Sequence, residues 1–127
     1  MVQARVNELL GGAPSIQSIS ITSATQVIGI PDGSSWIELS NTTAGSITLG
    51  ASNAIFSCSP SSRHRIVFLY NAYSASGQNV VLTNTDNTTT AGYCDLGGSN
   101  VTLAPTSVIC LRIRGDGSAV RVFNTTN

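Results

Sequence analysis

The chain has 127 residues, a formal net charge of +0 and a sequence pI of about 6.5, with 9% of its residues charged. That length suits one domain with a buried core, and without an excess of positive charge there is no electrostatic footprint for a polyanion, so nucleic acid is not an expected partner. All six basic residues are arginine and lysine is absent, which leaves a surface of Ser, Thr, Asn and Gly of the kind that lies against other copies or other proteins rather than keeping monomers apart.

The first element is a helical arm. Val2, Val6, Leu9 and Leu10 follow i, i+4, i+7, i+8 spacing, and Gly11, Gly12 and Pro14 stop the pattern. A helix so short is marginal in water unless its apolar stripe docks on something. Residues 1–15 are therefore read as an arm, a short helix plus a Gly-Gly-Ala-Pro-Ser hinge, and residues 16–127 as a single β-domain. The start of the chain lacks the basic and apolar regions of a secretory signal, and no apolar run suits a membrane span. Folding in a cytoplasm, with no membrane partner, is the expectation.

Strand and turn signals follow. Ile19 and Ile21 alternate with serines and Thr22; Val27, Ile28 and Ile30 lead into the turn Pro31, Asp32, Gly33. Further strands are expected at residues 36–39, 46–49, 66–70, 80–83, 101–103, 108–113 and 119–123. Eight or nine short strands at this spacing make an all-β domain, a β-sandwich or jelly-roll-like fold. Residues 115–118 have the composition of a hairpin turn. The alternation on either side of it places Leu111, Ile113, Val120 and Val122 toward the core, with Arg112, Arg114 and Arg121 on the other face.

Candidate chemistries find little support. Cys58, Cys94 and Cys110 fit neither zinc spacing nor a closed disulfide set, and three buried thiols in a reducing compartment are expected. His64, the only histidine, stands between Arg63 and Arg65, where neighbouring positive charge disfavours its protonated form. A nucleophile–base pair with Cys58 would need the fold to join them. The acids Asp32, Glu38, Asp86, Asp95 and Asp116 are scattered, mostly at turns, without glycosidase or calcium-loop spacing. Neither catalysis nor a metal or other cofactor is expected. Arg114, Gly115 and Asp116 form an adhesion-like tripeptide, but Gly-Asp-Gly is what a hairpin turn requires. Trp36, Tyr70, Tyr73 and Tyr93 are candidates for a sugar-stacking platform. Asn41, Asn87, Asn100 and Asn124 begin formal glycosylation triplets, which arise easily in an Asn/Thr-rich chain.

A known group shares this pattern. Ile37-Glu38-Leu39 before Asn41-Thr42-Thr43, the Arg65-led strand Ile66-Val67-Phe68-Leu69, the run from Leu96 through Gly97, Gly98 and Ser99 to Leu103, and the closing Arg-Gly-Asp-Gly-Ser hairpin resemble the β-modules of tailed-bacteriophage virion proteins. Such modules occur in capsid decoration proteins and in fibres. The resemblance implies a β-sandwich or jelly-roll-like domain that assembles as a homotrimer. A single module with an apolar arm and no visible internal repeat suits decoration. The expectation is a homotrimeric capsid decoration (cement) protein on the capsid exterior, assembled in the host cytoplasm, that staples neighbouring subunits of the major capsid protein. Its partner-binding residues would be Val2, Arg5, Val6, Leu9 and Leu10 of the arm, with Arg63 and Arg65, since arginine makes bidentate contacts in closing interfaces. The alternative is a fibre or tail-appendage module that binds a host receptor or glycan.

Overall fold

The computed structural model describes residues 15–32, 35–43, 45–72 and 78–125. Through them run eleven strands: β1 (Ser15–Ile21), β2 (Ile28–Ile30), β3 (Ser35–Asn41), β4 (Ile47–Leu49), β5 (Phe56–Cys58), β6 (Ile66–Asn71), β7 (Val80–Leu82), β8 (Cys94–Asp95), β9 (Val101–Leu103), β10 (Val108–Ile113) and β11 (Ala119–Asn124). The 3-10 turn Pro60–Ser62 is the one helical piece among the described residues. The domain is all-β, as its alternation and turns imply. The helical arm lies outside the described residues, and β1 begins at Ser15, the last residue assigned to that arm.

Three sheets share one core. Six strands lie in the order β1-β3-β6-β10-β11-β8, three in the order β4-β7-β9, and two, β2 and β5, form a ribbon. Their inner faces meet as in a sandwich, and Ile21, Ile37, Leu39, Leu49, Leu69, Leu82, Leu103 and Ile109 are fully buried there. Each such side chain contributes about 1.5–3 kcal/mol by leaving water.

The first half of the chain winds around this core. β3, β4 and β5 pass from the six-stranded sheet to the three-stranded sheet and then to the ribbon, and β6 and β7 repeat the first two steps. Every return lies parallel to the pass before it: β1 beside β3 beside β6, β2 beside β5, and β4 beside β7. Parallel neighbours need a crossover connection; here strands of the other sheets supply it in place of a helix. Ser15 stacks on Ser35, and Ser35 on Val67, so the second pass is much longer than the first. Unequal passes explain why no internal repeat is visible in the sequence. The winding ends in antiparallel pairs, β10 with β6 and β11, and β9 with β7.

Two strands escape the sequence pattern. β5 and β8 have three and two residues, too few to show alternation. Both are held by parallel pairing to distant chain, β5 with β2 and β8 with β11.

Buried asparagines hold the corners of the winding. Asn41 Nδ2 donates to the carbonyls of Gly45 (2.7 Å) and Asn79 (2.9 Å), and its Oδ1 accepts from the Thr43 amide (3.0 Å) and hydroxyl (2.8 Å). One pass on, Asn71 Nδ2 donates to the carbonyls of Gln78 (3.1 Å) and Leu103 (2.8 Å). Gln78 Nε2 links the two corners by donating to the carbonyls of Asn41 and Thr43. Ladder pairing runs out at the corners, where the Asn79 carbonyl keeps the Ile47 amide at 3.0 Å, and a side-chain amide that supplies a further donor there lowers the desolvation cost of the corner carbonyls. Asn41 is wholly buried, which disposes of its glycosylation triplet.

The closing hairpin corrects the expected facing of β11. Residues 114–118 form its turn, in which the Arg114 amide donates to Ser118 O (2.7 Å) and the Gly117 amide to Arg114 O (2.9 Å). This length sets Ala119 opposite core-facing Ile113 and Val120 opposite outward-facing Arg112. Directly paired residues share a face, so Ala119 takes the core position expected of Val120. A register shift at Cys110/Leu111 then inserts an extra residue into β11. Val122 is 53% exposed in consequence, and Phe123 returns to the outer face. Arg121 stands opposite Leu111 instead of beside Arg112, and its guanidinium reaches Asn124 Oδ1 at 2.9 Å. Leu111 and Ile113 are buried as expected.

Replacing Asn41 with Ala takes the side-chain donor from the Gly45 carbonyl and the acceptor from two Thr43 donors, and leaves the Asn79 carbonyl with the Ile47 amide alone, so Asn41→Ala should lose about 3 kcal/mol in urea unfolding. The outward-facing Ser40→Ala should stay within about 0.5 kcal/mol of the parent.

Candidate functional site

The outer face of the six-stranded sheet is unusual for a face turned away from the core. Register places Ile16 of β1 beside Trp36 of β3, Trp36 beside Phe68 of β6, Phe68 beside Cys110 of β10 and Cys110 beside Phe123 of β11. One row of apolar side chains thus crosses five strands. The Trp36 and Phe68 rings lie 5.4 Å apart, Trp36 and Tyr70 5.7 Å, and Phe68 meets Phe123 edge-on at 6.2 Å. Each such pair contributes about 0.5–1.5 kcal/mol beyond its area. On one flank of the row stand Ser18, Glu38, Tyr70 and Val108; on the other stand Ile66, Arg112 and Val120. Glu38 Oε2 accepts from Trp36 Nε1 at 3.2 Å and steadies the indole. Ile16 is 65% exposed and Phe123 46%.

The cause is legible in β6 and β10. A strand with one wet face alternates apolar and polar residues, whereas Ile66-Val67-Phe68-Leu69-Tyr70 is apolar at both parities, the pattern of a strand covered on both sides. Val67 and Leu69 fill the core, and Phe68 and Tyr70 are left for the outer face. Contiguous apolar patches of this kind mark interaction sites.

The arginines expected at an interface lie elsewhere. Arg63 and Arg65 sit in the connector between the 3-10 turn and β6, not two apart on one strand face. The Pro60 turn and the left-handed backbone of His64 (φ 65°) delay the strand until Ile66. Arg63 is half-buried; its Nε is buried without a hydrogen-bond partner among the described residues. Arg65 is exposed, and its carbonyl accepts from the Ile113 amide at 2.9 Å. Val2, Arg5, Val6, Leu9 and Leu10 lie outside the described residues, as does Tyr73.

The charged side chains of the Arg-Gly-Asp tripeptide are engaged within the domain. Arg114 donates to Thr88 O at 3.1 Å, and its guanidinium lies 3.7 Å from the Asp95 carboxylate. Asp116 Oδ1 accepts from the Ser118 hydroxyl (2.6 Å) and amide (2.9 Å), which hold its carboxyl below the usual carboxylate range. Both charged ends of the tripeptide are thus engaged, Arg114 by the loop that carries Thr88 and Asp95 and Asp116 by its own turn. Other acids serve likewise: Asp32 accepts from Ser59, and Asp95 from the amides of Asn87 and Gly97. No group of three His, Cys, Asp or Glu side chains among the described residues is placed to hold a metal ion.

Cys94 and Cys110 are buried and Cys58 is half-buried. Burial pushes the Cys94 thiol up to about 12, and desolvation also raises Cys110 and Cys58, the latter against the opposing pull of Arg63. A raised thiol is a poor nucleophile. Comparison with protein-family models, curated proteins and solved structures finds no match, so function is argued from the site alone.

The unfolded Cys94 thiol ionises near its ordinary pKa of 9.0 while the folded one keeps its proton to about 12. Stability should therefore be intact below pH 9 and fall as pH rises above it, by about 1.4 kcal/mol per unit. Cys94→Ala should flatten that slope in unfolding titrations. In the native protein at pH 8 a thiol reagent should label Cys58 first and Cys94 only on unfolding.

Proposed function

We propose that this chain is a structural virion protein: a homotrimeric capsid decoration (cement) protein on the capsid exterior, assembled in the host cytoplasm. Its arm, residues 1–15, binds the outer surface of the major capsid protein and staples neighbouring subunits. The single observation that carries an assembly role is the apolar outer face of the six-stranded sheet, on a chain with no lysine and few charges of any kind. In a lone monomer Ile16 and the aromatic row would stand partly in water; contact with other chains removes that surface from solvent. Three arms on one trimer bind in succession, the later ones at high effective concentration, so weak single contacts add to a tight clamp.

The placement of Trp36, Tyr70 and Glu38 favours a second reading. Two neighbouring rings with a carboxylate acceptor beside them suit the apolar face and hydroxyls of a sugar ring. On that reading the chain is a fibre or tail-appendage module that binds a host receptor or glycan, and the same face is its platform.

Quantitative mass spectrometry of purified particles separates the two. A decoration protein should be present at about one copy per capsid subunit, as icosahedral distribution requires; a copy number far below that would favour the appendage, and absence from particles would overturn both. Removing residues 1–12 should leave a folded trimer whose shell affinity falls about tenfold or more. Unchanged shell binding would refute the clamp. Glycan binding lost on Trp36→Ala would support the second reading.

A further inference from the structure

We infer that the outer face of the six-stranded sheet closes on further copies of this chain, with Glu38 of one copy pairing with Arg112 of the next. This rests on the assembly reading above and names its contact surface. The occupant follows from charge. Among the described residues the strands of this face carry the acids Glu38 and Asp95 and the base Arg112; Asp95, beside Val120, is already engaged by the Arg114 guanidinium at 3.7 Å, which leaves Glu38 and Arg112 as the charges to be matched. They stand on opposite flanks of the aromatic row, two strands and four residues apart, which is about 16 Å of sheet surface. That separation is too long for a direct pair within one copy, and neither forms an ion pair with a described residue. A second copy supplies the missing partner for each. The two flanks of the face are thus complementary in charge between copies, with one charge offered at one flank and one accepted at the other.

Because the two charges are spaced apart, a copy meets one neighbour with Glu38 and another with Arg112. A head-to-tail contact of this kind closes into a ring when its rotation allows. The rest of the face fits: Ser18, Ser20 and Ser40 make a polar rim beside the apolar row, and an apolar centre with a polar rim is the anatomy of an interface. The pairing also sets register, since any slip along the row brings each charge against apolar neighbours or its own kind.

The test is a charge exchange on the full-length chain, read as oligomer mass by light scattering over a range of concentrations. Glu38→Arg and Arg112→Glu should each weaken self-association by about tenfold or more, because like charges then meet across the contact. The double variant E38R/R112E should restore association to within about threefold of the parent, since the pair is re-formed with reversed sign. Both side chains point away from the core, and far-UV circular dichroism checks that each variant folds. If a reversal variant fails to fold, Glu38→Gln and Arg112→Gln serve, and each should weaken the salt dependence of assembly. A parent that is monomeric at every concentration overturns the assembly reading itself. A parent that assembles while the single variants assemble equally well, or the double fails to recover, overturns the pairing and leaves that reading standing.

Discussion

Parallel stacking of β1, β3 and β6 sets residues of equal rank from three passes side by side: Ile16, Trp36 and Phe68 on one side of the sheet, Ile37 and Leu69 on the other. Everything else in the structure follows from that alignment. A shift of one residue in any pass would exchange the two faces, sending Leu39 outward and Trp36 into a core with no room for an indole. The corner asparagines guard against such a slip. Asn41 satisfies the carbonyls of Gly45 and Asn79 only when the second and third passes are in register, so a slipped register costs buried hydrogen bonds as well as apolar burial.

The same alignment makes the surface. One aromatic side chain on an isolated strand is ordinary, but parallel register collects one from each of several strands into a single row. β10 and β11 extend it, because the register shift in β11 brings Phe123 round to Cys110 and Phe68. The shift therefore has a structural consequence for the site: without it Val122 would occupy that place, and the row would end on an aliphatic side chain with no ring to meet Phe68. Bulges commonly re-aim a side chain in this way.

The polar features that invite chemical readings are occupied with the fold. The Arg114 guanidinium holds the loop that carries Thr88 and Asp95, Asp116 closes its own turn, and Asp32 serves the segment around Ser59. Cys94 lies in the core beside Leu96 and Ala119. What remains facing solvent with apolar area and matched charge is the outer sheet face, and both the assembly reading and the glycan reading are readings of that face.

Much of this was legible along the chain. Alternation in Ile19, Ile21, Ile37, Leu39, Val67 and Leu69 located the longer strands, and the doubly apolar run Ile66-Val67-Phe68-Leu69-Tyr70 already carried the signal of a strand covered on both sides. Local pattern could not show which strands pair. β5 and β8 are too short for periodicity, and the facing of Val120 and Val122 depended on a turn length and a register shift that composition does not encode. By itself the sequence determined an all-β chain, poor in charge and without lysine, because periodicity and composition are local properties. Only the tertiary structure decided that Trp36, Phe68, Tyr70 and Phe123 share one face, that Glu38 and Arg112 flank it, and that Arg63 and Arg65 do not, because those relations arise from pairing between residues far apart in the chain.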